Sequence, residues 1–324
     1  MMLSTDSAIL QEILWGHAIG GALWPFQPRG PDYLRPLHLH SQPELLVVRR
    51  GALRLRVGGE THSVERGQVA WIPPAVAHVV EDLTPQTDFW VLQPGPKLFE
   101  QALARAAGAP STEPGAWRGR MSRVLPDPPV LRPAAAELGA FEAAAELAWS
   151  AYLHALRHPI LDARFEWLPA WDEASAGQAR RLLLELTVRA LRMTLPAITT
   201  TKERLARRAF DLLLTDPMLT RDELCERLAV SEGHLSRRFH ELFGATLVEQ
   251  RARARLCAFV TAARTDRNLL QAGMNAGFGS YAQLHRVFTR HSGCGPREYL
   301  SGGADLQLAK VTRAAGAAVS SLSR

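Results

Sequence analysis

The sequence predicts an α+β protein with a small N-terminal β-barrel or sandwich, a helical middle segment and an all-α C-terminal domain. Three observations lead to this prediction. Short apolar runs with Gly and Pro between them fill residues 36–95, helical periodicity begins near residue 134, and residues 200–300 contain an internal repeat. A chain of 324 residues is long enough for two or three such domains.

Composition narrows the class of protein. Hydrophobic residues make up 47% and charged residues 22%, as in globular proteins with a substantial core. No apolar run approaches the ~20 residues that cross a bilayer, and the N-terminus lacks the basic region of a signal peptide. The three cysteines are widely spaced, which is typical of a reducing compartment. We therefore expect a cytoplasmic protein with no membrane partner.

The positive charge is concentrated towards the C-terminus. The net charge is −1 over residues 1–199 but +5 over residues 200–300, within a total of +6. Such an asymmetry indicates that the C-terminal part contacts a polyanion. A solvated basic face is the alternative.

The N-terminal apolar runs read as strands. Apolar residues alternate with arginines over residues 52–57, and the Gly58-Gly59 pair that follows is a turn signal. Residues 67–80 and 89–94 are two further strand candidates, the first broken by prolines at 73 and 74. This pattern favours a small barrel or sandwich over residues 1–107.

The middle of the chain reads as a linker followed by helices. Residues 108–133 are rich in Pro and Gly and predict a loop, and residues 134–198 show helical spacing with a broad apolar stripe. We expect residues 108–199 to couple two domains, with the stripe either in the core or in a dimer interface. Residues 301–324 read as a flexible tail.

The repeat consists of two segments with the pattern L-x-R-x-F-x-x-x-x-G. They are LSRRFHELFG (235–244) and LHRVFTRHSG (284–293), which lie in register 49 residues apart. Ser231 and Ser280 precede them at equal offsets and predict N-caps whose hydroxyls accept a backbone hydrogen bond. Gly244 and Gly293 predict left-handed helix ends.

The first copy has the parts of a helix-turn-helix. Asp222–Leu228 predicts a short helix, Ala229-Val230 a tight turn and Ser231–Phe243 a second helix. The helix-like connector 247–264 would span roughly 25 Å at ~1.5 Å per residue. That length can place two recognition helices in successive major-groove segments, ~34 Å apart.

Residues 205–300 resemble the DNA-binding domain of the AraC/XylS family of bacterial transcription regulators. The resemblance is carried by the first repeat and by GFGSYAQLHRVF (277–288), with Gly295-Pro296 and Tyr299 beyond. It implies recognition helices at 231–243 and 280–291 that contact promoter DNA through arginines and polar side chains. The implied contact residues are Glu232, His234, Ser236, Arg237, Arg238, Ser280, Gln283, Arg286 and Arg290.

One position departs from the family pattern. Ala272-Gly273 stands where an Ile-Ala pair is usual, and a glycine inside a helix costs about 1 kcal/mol relative to alanine. We therefore expect the second motif to dock less firmly than the first.

Two N-terminal blocks resemble the paired motifs of the cupin barrel. They are His38-x-His40-x-x-x-Glu44 and Gly67-x5-Pro73-x-Ala75-x-x-His78, with Ala75 in place of a usual glycine. In metal-binding cupins the matching positions are ligands, which implies a site at His38, His40, Glu44 and His78. Such donors suit Zn²⁺, Fe²⁺, Mn²⁺, Ni²⁺ or Cu²⁺. The alternative is an organic effector without metal, for which these residues are pocket walls.

Two tryptophans belong to the same region. Trp71 and Trp90 flank the predicted strands, and we expect them in the core. A place in a ligand pocket is the alternative.

Together these features predict a sequence-specific transcription regulator, not an enzyme, with a cupin-like sensor barrel and two helix-turn-helix motifs. Its expected partners are double-stranded promoter DNA and a small-molecule or metal effector, with RNA polymerase and a second copy of the chain as further candidates. The resemblance is compatible with an activator, and the sequence leaves activation and repression both open. The alternatives are a cupin metalloenzyme of dioxygenase or isomerase type, and a non-specific DNA-binding protein.

Overall fold

The computed structural model describes residues 9–10, 20–26, 37–107, 129–155, 173–194, 201–263 and 268–300. The strands in these ranges are β1 (Ile9–Leu10), β2 (Gly21–Phe26), β3 (His38–Leu39), β4 (Glu44–Arg50), β5 (Ala52–Val57), β6 (Glu60–Glu65), β7 (Val69–Ile72), β8 (His78–Leu83), β9 (Asp88–Pro94) and β10 (Val130–Leu131). The helices are α1 (Pro96–Ala107), α2 (Ala135–Ala155), α3 (Glu173–Thr194), α4 (Thr201–Thr215), α5 (Arg221–Leu228), α6 (Glu232–Phe243), α7 (Leu247–Ala263), α8 (Leu269–Asn275), α9 (Tyr281–Ser292) and α10 (Pro296–Glu298).

The strands form two five-stranded sheets that enclose the N-terminal core. One has the order β1-β3-β8-β5-β6 and the other β10-β7-β4-β9-β2. The first five residues of β4 are buried, because this strand lies between β7 and β9 with both faces covered. The Gly58-Gly59 turn and the break after β7 at Pro73 occur where the sequence predicts them. The mixed α and β fold class is confirmed.

Some of the described elements differ from the sequence prediction. The linker predicted over 108–133 contains β10, which pairs antiparallel with β7, so the prediction of a loop is wrong at Val130 and Leu131. Residues 108–128 of that linker and the predicted tail 301–324 lie outside the described residues. The strands β2 and β6 and the helix α1 were not individually predicted from the sequence.

The apolar stripe of the middle segment is buried within the chain. Leu183, Leu186, Ala190 and Leu191 on α3 are each at most 1% exposed, and α3 packs against α1 and α2. The helices therefore use this stripe as core. A role of residues 108–199 in dimerisation stays a prediction.

The C-terminal helices α4–α10 pack around aromatic pairs. Phe210 of α4 stacks on Phe243 of α6 with ring centroids 4.8 Å apart, and Phe259 of α7 meets Phe288 of α9 at 5.5 Å. These contacts join each recognition helix to the helix that supports it. No helix in the described ranges is long and apolar enough to cross a membrane.

Candidate effector site and DNA-binding surface

The barrel brings the four predicted site residues together. His38 on β3 pairs directly with His78 on β8, and His40 follows on the same face of the chain. Ring centroids lie 4.2 Å apart for His38 and His78, and 4.9 Å apart for His40 and His78. Glu44 begins β4 beside them, and all four residues are buried. Potential ligand nitrogens of the three histidines lie within 4.8 Å of one another.

Two of the imidazoles are oriented by backbone carbonyls. The Nδ1 atom of His40 donates to the carbonyl of Gln42 over 2.8 Å, and Nδ1 of His78 donates to the carbonyl of Val76 over 3.0 Å. Both rings therefore turn Nε2 towards Glu44, at 3.2 Å from Oε2 for His40 and 3.8 Å from Oε1 for His78. Metal-bound histidines are commonly held through the second ring nitrogen in this way.

The carboxylate of Glu44 stays ionised despite its burial. Burial opposes ionisation, but the hydrogen bond with His40 and the charges of the surrounding imidazoles lower the pKa of Glu44 well below its usual range. The side chain of Gln93 on β9 donates to Glu44, and its Nε2 lies 3.0 Å from Nε2 of His40. The sequence reading missed Gln93, because a single polar residue in an apolar strand has no motif around it.

A mostly apolar pocket that is partly open to solvent adjoins this cluster. His38, Glu44 and His78 lie on its wall, and most of the remaining lining is apolar. The apolar residues are Trp24, Phe26, Leu46, Leu55, Val80, Phe89 and Val91. Trp24 and Phe26 belong to β2. The aromatic residues of this pocket therefore differ from Trp71 and Trp90, which the sequence offered as pocket candidates. Trp71 and Trp90 are fully buried, as expected of core residues.

The first helix-turn-helix is formed by α5 and α6. Thr220 and Glu223 form a capping box at the start of α5, and Ala229 ends that helix in the left-handed region with φ of 54°. Arg221 at the start of α5 pairs with Glu232 at the start of α6 over 2.6 Å. The tight turn predicted at Ala229 is thus present.

The repeat has a structural reason in both copies. Leu235 and Phe239, and their counterparts Leu284 and Phe288, are fully buried, whereas the arginine between each pair is exposed. Gly244 and Gly293 end α6 and α9 with φ of 60° and 76°. The pattern therefore specifies two helices with the same buried side and the same termination.

One capping prediction is wrong. Ser280 caps α9 by accepting from the backbone N–H of Gln283 at 3.2 Å, as predicted. Ser231 occupies the N-cap of α6 in extended conformation, but its side chain makes no capping hydrogen bond. An ion pair between Arg221 and Glu232 lies at the start of this helix.

The nine predicted DNA contacts differ in exposure. Six are exposed, namely Glu232, His234, Arg237, Ser280, Arg286 and Arg290, and three are half-buried, namely Ser236, Arg238 and Gln283. Arg238 pairs with Glu241 at 2.7 Å, and Oε1 of Gln283 accepts from the backbone N–H of Gly279 at 2.8 Å. These two side chains must leave intramolecular partners to reach DNA.

Gly273 has a packing role on α8. A Cβ atom added there would lie 2.8 Å from Cδ2 of Leu284, a core residue of α9. The glycine therefore lets the recognition helix α9 approach α8 closely. The expectation that the second motif docks less firmly than the first stays a prediction.

Two family models match the chain. The AraC-like ligand binding domain matches residues 21–157, and the Helix-turn-helix domain matches residues 224–302. This combination defines a transcription regulator in which an effector-binding domain controls a DNA-binding domain. The chain belongs to the AraC family.

Several solved structures are similar to this chain at low sequence identity. Wild-type ToxT from Vibrio cholerae bound to an unsaturated fatty acid is 11% identical, with 86% of this chain and 94% of that chain covered and a TM-score of 0.41. The AraC-like transcriptional activator CuxR is 13% identical, with 67% and 66% covered and a TM-score of 0.29. Bacillus subtilis oxalate decarboxylase OxdC is 19% identical, with 28% and 30% covered and a TM-score of 0.21. No curated protein matches in sequence.

Proposed function

We propose that the barrel of this regulator binds a divalent transition metal through His38, His40, Glu44 and His78. The observation that carries the proposal is the orientation of His40 and His78. Each gives its Nδ1 proton to a backbone carbonyl and turns Nε2 towards the same buried carboxylate. Three imidazoles and a carboxylate fit Zn²⁺, Fe²⁺, Mn²⁺, Ni²⁺ or Cu²⁺.

The adjoining cavity suggests that the effector site also binds an organic molecule next to the metal. Its lining of Trp24, Phe26, Phe89 and aliphatic side chains favours a compact organic molecule with an apolar body. A bound metal would supply a positive charge for an anionic or hydroxyl head group of that molecule. The aromatic lining would keep water away from the head group and strengthen its attraction to the site.

On the DNA side, we propose that Arg237, Arg286 and Arg290 make the main contacts. They are exposed on α6 and α9, and arginine binds both phosphate and guanine edges. The remaining six predicted residues add polar contacts or position these helices. Activation, a homodimer and contact with RNA polymerase remain predictions from the family resemblance, and we propose no catalytic role for any residue.

The metal site can be tested by elemental mass spectrometry of untagged protein purified without chelators. We expect nearly one metal per chain in the wild type and a loss of most of it in His38→Ala/His40→Ala. The matched control is His234→Ala/His285→Ala, which removes two exposed histidines from the DNA-binding domain and should keep the metal. Absence of metal in all three proteins would contradict the proposed metal, and His38, Glu44 and His78 would then act only as walls of an organic-ligand pocket.

A further inference from the structure

The turn between β7 and β8 connects the barrel site to the DNA-binding domain. Ala75 in this turn is fully buried, with φ of 61°. Its N–H donates to the carbonyl of His40 over 2.8 Å, and its carbonyl accepts from Nε2 of Gln250 over 3.1 Å. One residue therefore contacts both a candidate metal ligand and the helix α7.

Gln250 is an unusual residue for the interior of a helix interface. Its side chain is 1% exposed, and a buried amide is costly unless it is hydrogen-bonded. The bond to Ala75 therefore favours one position of α7 on the barrel. Because α7 joins the two helix-turn-helix motifs, this position affects both recognition helices.

A second contact lies beside the first. The Gly58-Gly59 turn packs against the end of α6, where a Cβ on Gly59 would lie 3.0 Å from the Cα and N of Gly244. The N–H of Gly58 donates to the carbonyl of Ala77 over 2.8 Å. The Gly59–Gly244 contact is therefore linked to the turn between β7 and β8, which also makes the Ala75–Gln250 bond. The recognition helix α6 is thus also held by its C-terminal end.

A small cleft that is partly open to solvent lies between the two domains. Pro73 and Val76 line it from the barrel, and Arg207, Leu242 and Phe243 line it from the C-terminal helices. Solvent therefore reaches part of the interface next to the turn between β7 and β8.

We infer that residues 73–77 form a latch that transmits the state of the barrel site to the first helix-turn-helix. A change in the position of His40 moves Ala75 through one hydrogen bond, and Ala75 moves α7 through another. This inference deepens the proposed function, because it requires an occupant of the barrel site. It assigns the coupling to the Ala75–Gln250 bond and the Gly59–Gly244 contact.

Hydrogen–deuterium exchange of the full chain tests the latch, with Zn²⁺ as the probe and calorimetry to measure its binding. We expect Zn²⁺ to change exchange in residues 73–77 and in 247–255 together. In Gln250→Leu, the change should persist in 73–77 and disappear in 247–255. Zn²⁺ binding with a change confined to the barrel, or an unaltered response in the variant, would overturn the latch.

Exchange measurements without metal test the latch independently of the proposed metal site. Gln250→Leu removes one hydrogen bond across the interface and should speed exchange in the Gly58-Gly59 turn by about fivefold. Gly59→Val should also speed exchange in 247–255, because its side chain would press on the backbone of Gly244. Gly139→Ala is the control, since a Cβ there meets no atom within 4 Å. If Zn²⁺ does not bind, the proposed Zn²⁺ site is wrong. The metal-free exchange of the two variants then tests the latch by itself. Unchanged exchange in both variants would overturn it.

Discussion

At the scale of single residues, Gly273 shows how a poor helix former can be favoured by packing. A glycine in a helix loses about 1 kcal/mol relative to alanine. Here the missing Cβ makes room for Leu284, which is fully buried between α8 and α9. The departure from the family pattern therefore marks a close helix contact.

This role predicts the effect of a larger side chain. Gly273→Val should lower the free energy of unfolding by about 1–3 kcal/mol, because the added atoms overpack the α8–α9 contact. Thermal or urea unfolding of the full chain measures the change. The control is Gly139→Val on the exposed face of α2, which should be neutral or slightly stabilising. Equal effects of the two substitutions would contradict the packing argument.

At the scale of elements, two helices begin with the same capping box. Thr220 and Glu223 form it on α5, and Thr246 and Glu249 on α7, where each threonine hydroxyl accepts from the glutamate N–H at 3.2 Å. Hydrogen bonds from the Thr220 backbone and hydroxyl lower the pKa of Glu223 from its usual 4.5. The start of each helix is thus fixed by local side chains.

Thr220→Ala should destabilise the protein by about 1 kcal/mol, the usual cost of a lost N-cap. The matched control is Ser231→Ala, which should cost clearly less because Ser231 makes no capping hydrogen bond. Unfolding of both variants at neutral pH checks the difference. If Ser231→Ala proved the more costly of the two, the assignment of caps would be wrong.

The capping box at Thr220 and Glu223 also predicts how the stability of the protein depends on pH. The lowered pKa of Glu223 means that its stabilising effect is complete above the usual value of 4.5 and is lost as the pH falls through the lower folded pKa. Thr220→Ala removes one of the hydrogen bonds that lower this pKa. The difference in stability between wild type and Thr220→Ala should therefore shrink in acid.

The sequence predicts the elements with strong local signals. The repeat, with its buried Leu and Phe and terminal Gly, predicts α6 and α9, and the turn signals at Gly58-Gly59 and Pro73 predict the ends of β5 and β7. By contrast, β6 reads ETHSVE, a polar edge strand in which Val64 is buried by pairing with β5. Its place depends on its partner, so no local pattern identifies it.

The same limit applies to the candidate site. The spacing of His38 and His40 predicts a shared face, and the second motif adds His78. Gln93 reaches the cluster because β9 pairs with β4, and Trp24 and Phe26 line the cavity because β2 pairs with β9. Long-range pairing places them there, and the local sequence does not contain it.

At the scale of the whole molecule, one chain combines a candidate effector site, the proposed latch and a DNA-binding domain. The excess positive charge lies in residues 200–300, and exposed arginines lie on both recognition helices. An effector can change DNA binding only if it prefers one arrangement of the two domains. The contacts at Ala75 and Gly59 are where the two arrangements would differ.

We expect the protein to bind DNA sequence-specifically through α6 and α9. The most direct test selects genomic fragments with the full chain and compares affinity for a selected fragment and a shuffled one of equal length, by fluorescence anisotropy at fixed salt. We expect the selected fragment to bind at least ~10³-fold more tightly at physiological salt. Arg237→Ala should weaken this binding, whereas Arg66→Ala, which removes an exposed arginine from the barrel, should not. A ratio near one, with Arg237→Ala indistinguishable from Arg66→Ala, would contradict the account.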